Sequence, residues 1–134
     1  IEIDASSLTP PNTPERLLIE PAGGLLVPLT RNTLQIDVIA RWASPVVLAT
    51  STRLGTINHT LLSVASLRAH NLPIAALVFT GEENSDTQRT IADFARVPVL
   101  GRLPNLNPLD ADTLQNAAHT SLDVAPIYAA WEHG

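Results

Sequence analysis

Pro45-Val-Val-Leu-Ala-Thr50-Ser-Thr-Arg-Leu-Gly55-Thr-Ile-Asn-His59, continued by Thr60 to His70, is the stretch that decides the fold. Val46 to Ala49 is a short apolar run rich in β-branched residues, the pattern of a strand buried on both faces. Ile57, Leu61, Val64, Ala65 and Leu67 recur at close to helical spacing. Gly55 and Thr56 stand between the two patterns, a permissive residue beside a good N-cap, so the helix is expected to begin there. Strand, polar loop and helix in this order aim free backbone N–H groups at the carboxyl edge of a sheet, where an anion can sit.

Outward from this unit, strands and helices alternate. On the N-terminal side, residues 1–15 carry three prolines and several hydroxyls and read as a loop or linker. Arg16 to Glu20 reads as a short buried strand ending on a carboxylate, and Leu25 to Leu29 as a second apolar run broken by Pro28. The spacing of Leu34, Val38, Ile39 and Trp42 predicts a helix from about Thr33 to Ala43, stopped by Pro45. On the C-terminal side, Ile74 to Thr80 is the next strand. A helix follows over about Asp86 to Arg96, capped by Ser85, with Ile91, Phe94 and Ala95 inward. Val97 to Gly101 is the fourth strand and Pro104 to Pro108 a polar turn. Asp110 or Asp112 caps a helix to about Leu122, and Asp123 to Gly134 adds a short helix with Tyr128 and Trp131. Helices long enough for crossovers predict an α/β fold, a parallel sheet with helices on both faces. Ligands then gather at the strand ends, Glu20, Thr50, Thr80 and Gly101.

The totals fit one domain over residues 1–134, with 45% hydrophobic and 16% charged residues. A net charge of −5 argues against a nucleic-acid or anionic-membrane partner. No apolar run reaches the roughly 18 residues of a membrane span, and no signal segment is seen. The chain has no Cys, which excludes disulfide and thiol chemistry and fits a cytoplasmic location. It also has no Met, and all 8 of its Lys+Arg residues are Arg. Both absences suit a piece of a longer protein; a trimmed N-terminus and a genome that favours Arg codons account for them as well.

Two readings stand for the strand-end residues. Glu20, followed by Gly23-Gly24 for close backbone approach, suits an Mg²⁺ that itself holds phosphates, or is an ordinary solvated acid in a turn. The turn Leu54-Gly-Thr-Ile-Asn-His59 binds an anion through its amides, or is merely a capped helix start. His59 has no second ligand at i+4, where Ser63 stands, and no visible orienting partner for base catalysis. A nucleophile elbow, a dinucleotide fingerprint and a Gly-x-x-x-x-Gly-Lys-Ser/Thr loop are all absent from the sequence. Glu82-Glu83 reads as a solvated acid pair.

Three segments together resemble a known family. Ile19-Glu-Pro-Ala-Gly-Gly-Leu-Leu-Val-Pro-Leu29 resembles the Glu-Gly-Ala-Gly-Gly…Val-Pro-Leu segment of dethiobiotin synthase. Pro45-Val-Val-Leu with Arg53-Leu-Gly-Thr-Ile-Asn-His59 is similar to its Leu-Gly-x-Ile-Asn-His segment, and Leu100-Gly-Arg-Leu-Pro104 to its Leu-Gly-x-(Ile/Leu)-Pro turn. The three keep the family's order and approximate spacing across Leu17 to Leu106.

The resemblance implies a P-loop NTPase-like fold, of which this chain is the C-terminal half. It implies an ATP- and Mg²⁺-dependent cyclo-ligase of biotin synthesis, homodimeric, closing the ureido ring of 7,8-diaminopelargonate with CO₂ through a carbamate that ATP phosphorylates. Carried over, Glu20 is the Mg²⁺ ligand, with Pro21, Ala22 and Gly23 lining the nucleotide turn. Thr80 and Gly81 fall at the adenine, and Pro104, Asn105 and Leu106 enclose it. Gly55, Thr56, Ile57 and Asn58 hold the substrate carboxylate across the dimer. Pro21 replaces the usual Gly, and Thr80 replaces the usual Asn, so one hydroxyl stands where a paired amide contact is expected. The family's P-loop Lys and its metal-sharing Ser/Thr and Asp have no counterpart in these residues. Phosphoryl transfer depends on such positioned charges, so the chain alone is expected to be inactive until the P-loop half is supplied, in cis or as a second chain. The alternatives are a non-catalytic dimerisation or regulatory module of the same family, and an amide-forming P-loop ligase.

Overall fold

The computed structural model describes residues 3–132. Its elements run α1 (Gln35–Trp42), β1 (Val46–Ser51), α2 (Thr56–Ala69), β2 (Ile74–Thr80), α3 (Ser85–Ala95), β3 (Val99–Leu103), α4 (Ala111–Ser121) and α5 (Ala125–Glu132). The three strands form a parallel sheet in the order β1-β2-β3. Parallel neighbours require a crossover, and α2 and α3 are those crossovers. The fold is the α/β class expected from the alternating pattern.

The core follows from strand and helix periodicity. Leu77 and Phe79, two apart on β2, point to one face and meet Val64 of α2 with Ile91 and Ala95 of α3. A second cluster joins Ile36 and Ile39 of α1 to Leu67 and Leu72. The helix ends are chemically specified. Asp110 accepts from the Thr113 amide at 2.8 Å and caps α4, and the Thr113 amide and hydroxyl hold its carboxyl below the ordinary carboxylate range. Gly101, at φ 130°, lies so close to the end of α4 that a Cβ would collide with the Ser121 carbonyl oxygen. Leu122 and Asp123 then run beside β3, with the Asp123 amide on the Leu100 carbonyl at 2.7 Å.

Several expectations are corrected. Arg16 to Glu20 is not a strand: the segment is exposed, because among the described residues no neighbouring strand takes up its backbone hydrogen bonds. The sheet therefore has three strands among the described residues, not four. Leu25 to Leu29 is a turn and a single bridge, with Pro28 opposite Leu34. β1 is only half-buried, since it lies at the sheet edge. β3 ends at Leu103, two residues beyond the expected Gly101. The α3 cap is Asn84, whose side chain accepts from the Thr87 amide, and Ser85 is the first helical residue. Phe94 faces solvent rather than the core. Residues 3–15 are loop apart from a 3₁₀ turn at Ala5–Ser7, and this segment straps α1 through the Trp42 indole, which donates to the Leu8 carbonyl at 3.0 Å. The terminal helix is seen to Glu132; His133 and Gly134 lie outside the described residues.

The core assignment predicts that Leu77→Ala, at a fully buried site, destabilises the chain by about 2–5 kcal/mol. Leu54→Ser, at a fully exposed site, changes stability by under about 0.5 kcal/mol. Urea unfolding followed by circular dichroism measures both.

Candidate functional site

The parallel register brings three strand ends to one edge, with Ser51 opposite Thr80 and Thr80 opposite Leu103. Hydrogen bonds then tie the loops leaving those strands. The Thr52 amide donates to the Thr80 carbonyl at 3.2 Å and the Gly81 amide to the Leu103 carbonyl at 3.0 Å. The Thr52 hydroxyl donates to the Glu82 carbonyl at 2.6 Å, and the Arg102 guanidinium to the Gly81 carbonyl at 2.7 Å. Asn105 Nδ2 donates to Glu82 Oε1 at 2.7 Å. Gly81 stands at φ 112°, and a Cβ there would come within 3.1 Å of the Thr52 hydroxyl. Only glycine takes this backbone shape without strain.

Thr80, Gly81, Pro104 and Asn105 are thus brought together, with Leu106 half-buried just beyond. Three residues given no site role in the sequence reading complete the edge: Thr52, Glu82 and Arg102. Glu82 is not a merely solvated acid, since its carbonyl and its carboxylate each hold a neighbouring loop. The visible signal for it was position alone, a carboxylate two residues beyond a strand.

At the β1 end the chain enters α2 through Gly55, in the left-handed region at φ 87°. Gly55 is the N-cap and makes no side-chain bond, so the expected cap at Thr56 is corrected. The Thr56 hydroxyl turns instead to the strand, donating to the Ser51 carbonyl at 2.6 Å and lying 2.9 Å from the Thr50 hydroxyl. Thr60, one turn on, closes the cluster through a short contact with Thr50. All three hydroxyl residues are buried, and the sequence reading missed them as a group. Ile57 packs on the core with its side chain. The Ile57 and Asn58 amides have no acceptor among the described residues, as the first turn of a helix requires. An open cleft of about 240 Å³ lies alongside, walled by Thr50, Thr56, Thr60, His59 and Ser63. A hollow of about 410 Å³ at Arg68, Phe94 and Arg96 lies by the other end of α2, away from the strand ends.

Glu20, Pro21, Ala22 and Gly23 lie in an exposed loop. Gly23 has φ 84°, and the loop is seated on the start of α1, where Ile36 donates to the Leu25 carbonyl at 2.9 Å. Glu20 makes no hydrogen bond or ion pair among the described residues, and no group of three or more His, Asp or Glu there could hold a metal. A single free carboxylate is a donor of the right kind for Mg²⁺, which keeps waters and takes oxygens from substrate phosphates. It does not make a metal site by itself. No helix among the described residues is long and apolar enough to cross a membrane.

A family model described as AAA domain matches residues 1–113. The ATP-dependent dethiobiotin synthetase BioD of Rhodopseudomonas palustris (strain TIE-1) is 49% identical over 117 residues, covering 87% of this chain and 55% of the relative. The protein of the same name from Brucella anthropi is 48% identical over 124 residues, covering 92% and 58%. That from Afipia carboxidovorans is 45% identical over 130 residues, covering 96% and 62%. The chain spans little more than half the length of these curated relatives.

The edge geometry predicts that Gly81→Ala destabilises the chain by about 1–3 kcal/mol, because alanine must hold the strained φ. Gly24→Ala, where a Cβ meets nothing within 4 Å, shifts stability by under about 0.5 kcal/mol. Thermal unfolding of the pair measures the difference.

Proposed function

This chain belongs to the AAA domain family, and from its similarity to proteins called ATP-dependent dethiobiotin synthetase we propose that it is the C-terminal part of such an enzyme. The reaction proposed is closure of the ureido ring on 7,8-diaminopelargonate with CO₂ and ATP, and its setting is biotin synthesis in the cytoplasm. The observation that carries this reading is one edge offering two different binding chemistries. The loops after β2 and β3 are bonded into one rim that suits a nucleotide base, and the β1–α2 turn leaves free helix amides that suit a carboxylate.

At the base end, the Gly81 amide and carbonyl are already engaged, so adenine is met by the groups around Gly81 rather than by its own backbone. The Thr80 hydroxyl can donate or accept, and the Asn105 side-chain carbonyl can accept while its nitrogen stays on Glu82. Gly81, Pro104 and Leu106 shape the walls. At the other end, the Ile57 and Asn58 amides, with Gly55 and Thr56 setting the turn, meet the carboxylate of diaminopelargonate from a neighbouring subunit of a homodimer. Glu20 is the proposed Mg²⁺ ligand, with Pro21 to Gly23 lining the phosphate side. Mg²⁺ bound there would neutralise charge on the phosphate oxygens. In the reaction, an amine takes up CO₂ as a carbamate. The γ-phosphoryl group passes to a carbamate oxygen, and the second amine attacks that carbon as phosphate leaves. The chain's own part is to hold the substrate and nucleotide ends in register.

The charged groups that the transfer needs are proposed to reside in a P-loop half outside these residues. Two features support a missing neighbour. β1 is an apolar strand with an unpaired edge among the described residues. Leu17, Leu18 and Ile19 lie exposed beside Glu20.

The expected result is no dethiobiotin from these 134 residues alone, and formation once a P-loop half is supplied. Labelled CO₂ incorporation measures it. Glu20→Ala in the reconstituted enzyme then lowers turnover by about tenfold or more at limiting Mg²⁺, with partial recovery at high Mg²⁺. Turnover by the chain alone overturns the need for the second half. A reconstituted assembly that binds but never turns over favours a non-catalytic dimerisation or regulatory module.

A further inference from the structure

We propose that Thr50, Thr56 and Thr60 are positioning residues, a buried hydroxyl cluster that sets the aim of the Ile57 and Asn58 amides. The inference rests on the reading of that turn as the carboxylate site. Its geometry stands independently of the reading. Thr56 Oγ1 lies 2.6 Å from the Ser51 carbonyl and 2.9 Å from Thr50 Oγ1, and Thr60 Oγ1 meets Thr50 Oγ1. One donor arrangement uses every proton: Thr60 donates to Thr50, Thr50 to Thr56, and Thr56 to the Ser51 carbonyl. No buried side-chain polar atom is left without a partner among the described residues.

The placement gives the cluster its function. Thr50 is on β1, Thr56 is the first residue of α2, and Thr60 is one turn further along the same helix face. The hydroxyls therefore pin the first helical turn to the strand end. Between them the chain makes the exposed Arg53-Leu54-Gly55 turn, which has little packing of its own. A helix N-terminus holds an anion only if its amides converge on one point. The residues carrying those amides are bracketed by Thr56 and Thr60. Three buried hydroxyls cost free energy if any one loses its partner, so the bonds of the cluster support one another. Valine would fill the same volume and supply the same apolar contacts. The hydroxyls are what distinguish a fixed turn from a merely packed one.

The test uses the ¹⁵N-labelled chain titrated with 7,8-diaminopelargonate, following the Ile57 and Asn58 amides. Thr56→Val is expected to weaken binding by about tenfold, while Thr56→Ser, which keeps the hydroxyl, stays within about threefold of the unsubstituted chain. Val64→Ala, a core change on the same helix, is expected to lower stability yet keep the affinity. Equal affinity for the unsubstituted chain and Thr56→Val overturns the positioning role alone. So does an affinity that simply follows stability across Thr56→Val and Val64→Ala. If diaminopelargonate leaves those amides of the unsubstituted chain unmoved, the carboxylate reading falls, and the positioning role with it. Should Thr56→Val fail to fold, Thr50→Val, which removes the hydroxyl that joins the other two, carries the same comparison.

Discussion

The parallel pairing of β1, β2 and β3 is the constraint on which the rest of this structure depends. Parallel neighbours cannot be joined by a tight turn, so each pair needs a crossover, and α2 and α3 bury Leu77 and Phe79 as they make it. The same pairing sends every strand in one direction. Thr50, Thr80 and Leu103 consequently arrive at one edge, with the following loops close enough to bond. An antiparallel arrangement of the same segments would scatter those residues over two edges. Gly81 is where the constraint is tightest, with its amide, its carbonyl and the space its Cβ would fill all taken by neighbours.

How much was legible in the sequence depended on whether the deciding partner was local. Ile74 to Thr80 reads as a strand and is one, because an apolar β-branched run between turn signals leaves little alternative. Gly55 marks the α2 start, since its left-handed φ is a local requirement. Arg16 to Glu20 has the same kind of pattern but no strand beside it among the described residues, and apolar residues without a neighbour do not make a sheet. Helical spacing predicts Phe94 inward, yet the inward stripe of α3 is carried by Ile91 and Ala95. The three-residue hydroxyl cluster was hidden for another reason. Thr56 and Thr60 are visible as an i, i+4 pair, but only the β1–α2 packing adds Thr50 and reveals where the hydroxyls point. The candidate site was legible as positions along strand ends; the bonds of Thr52, Glu82 and Arg102 that hold it together were not.

The chemistry that emerges is divided between two stations on one edge. Uncharged groups dominate both: a Thr hydroxyl, an Asn amide and free helix amides, with Arg102 committed to a backbone carbonyl. Such groups recognise and orient, and they contribute little to neutralising a transferring phosphoryl group. On the proposed function, Mg²⁺ at Glu20 would add one centre of charge, and the proposed P-loop half would supply the positive side chains. This division agrees with relatives that are called ATP-dependent dethiobiotin synthetases and are almost twice the length of the matched segment.

The central claim is that the loops after β2 and β3 form the base-contacting end of a nucleotide site. Titrating the ¹⁵N-labelled chain with ATP and Mg²⁺ tests it most directly. The account predicts saturable shifts concentrated at Thr80, Gly81, Asn105 and Leu106. Shifts confined to the Arg68–Arg96 hollow, or none at millimolar nucleotide, would contradict it.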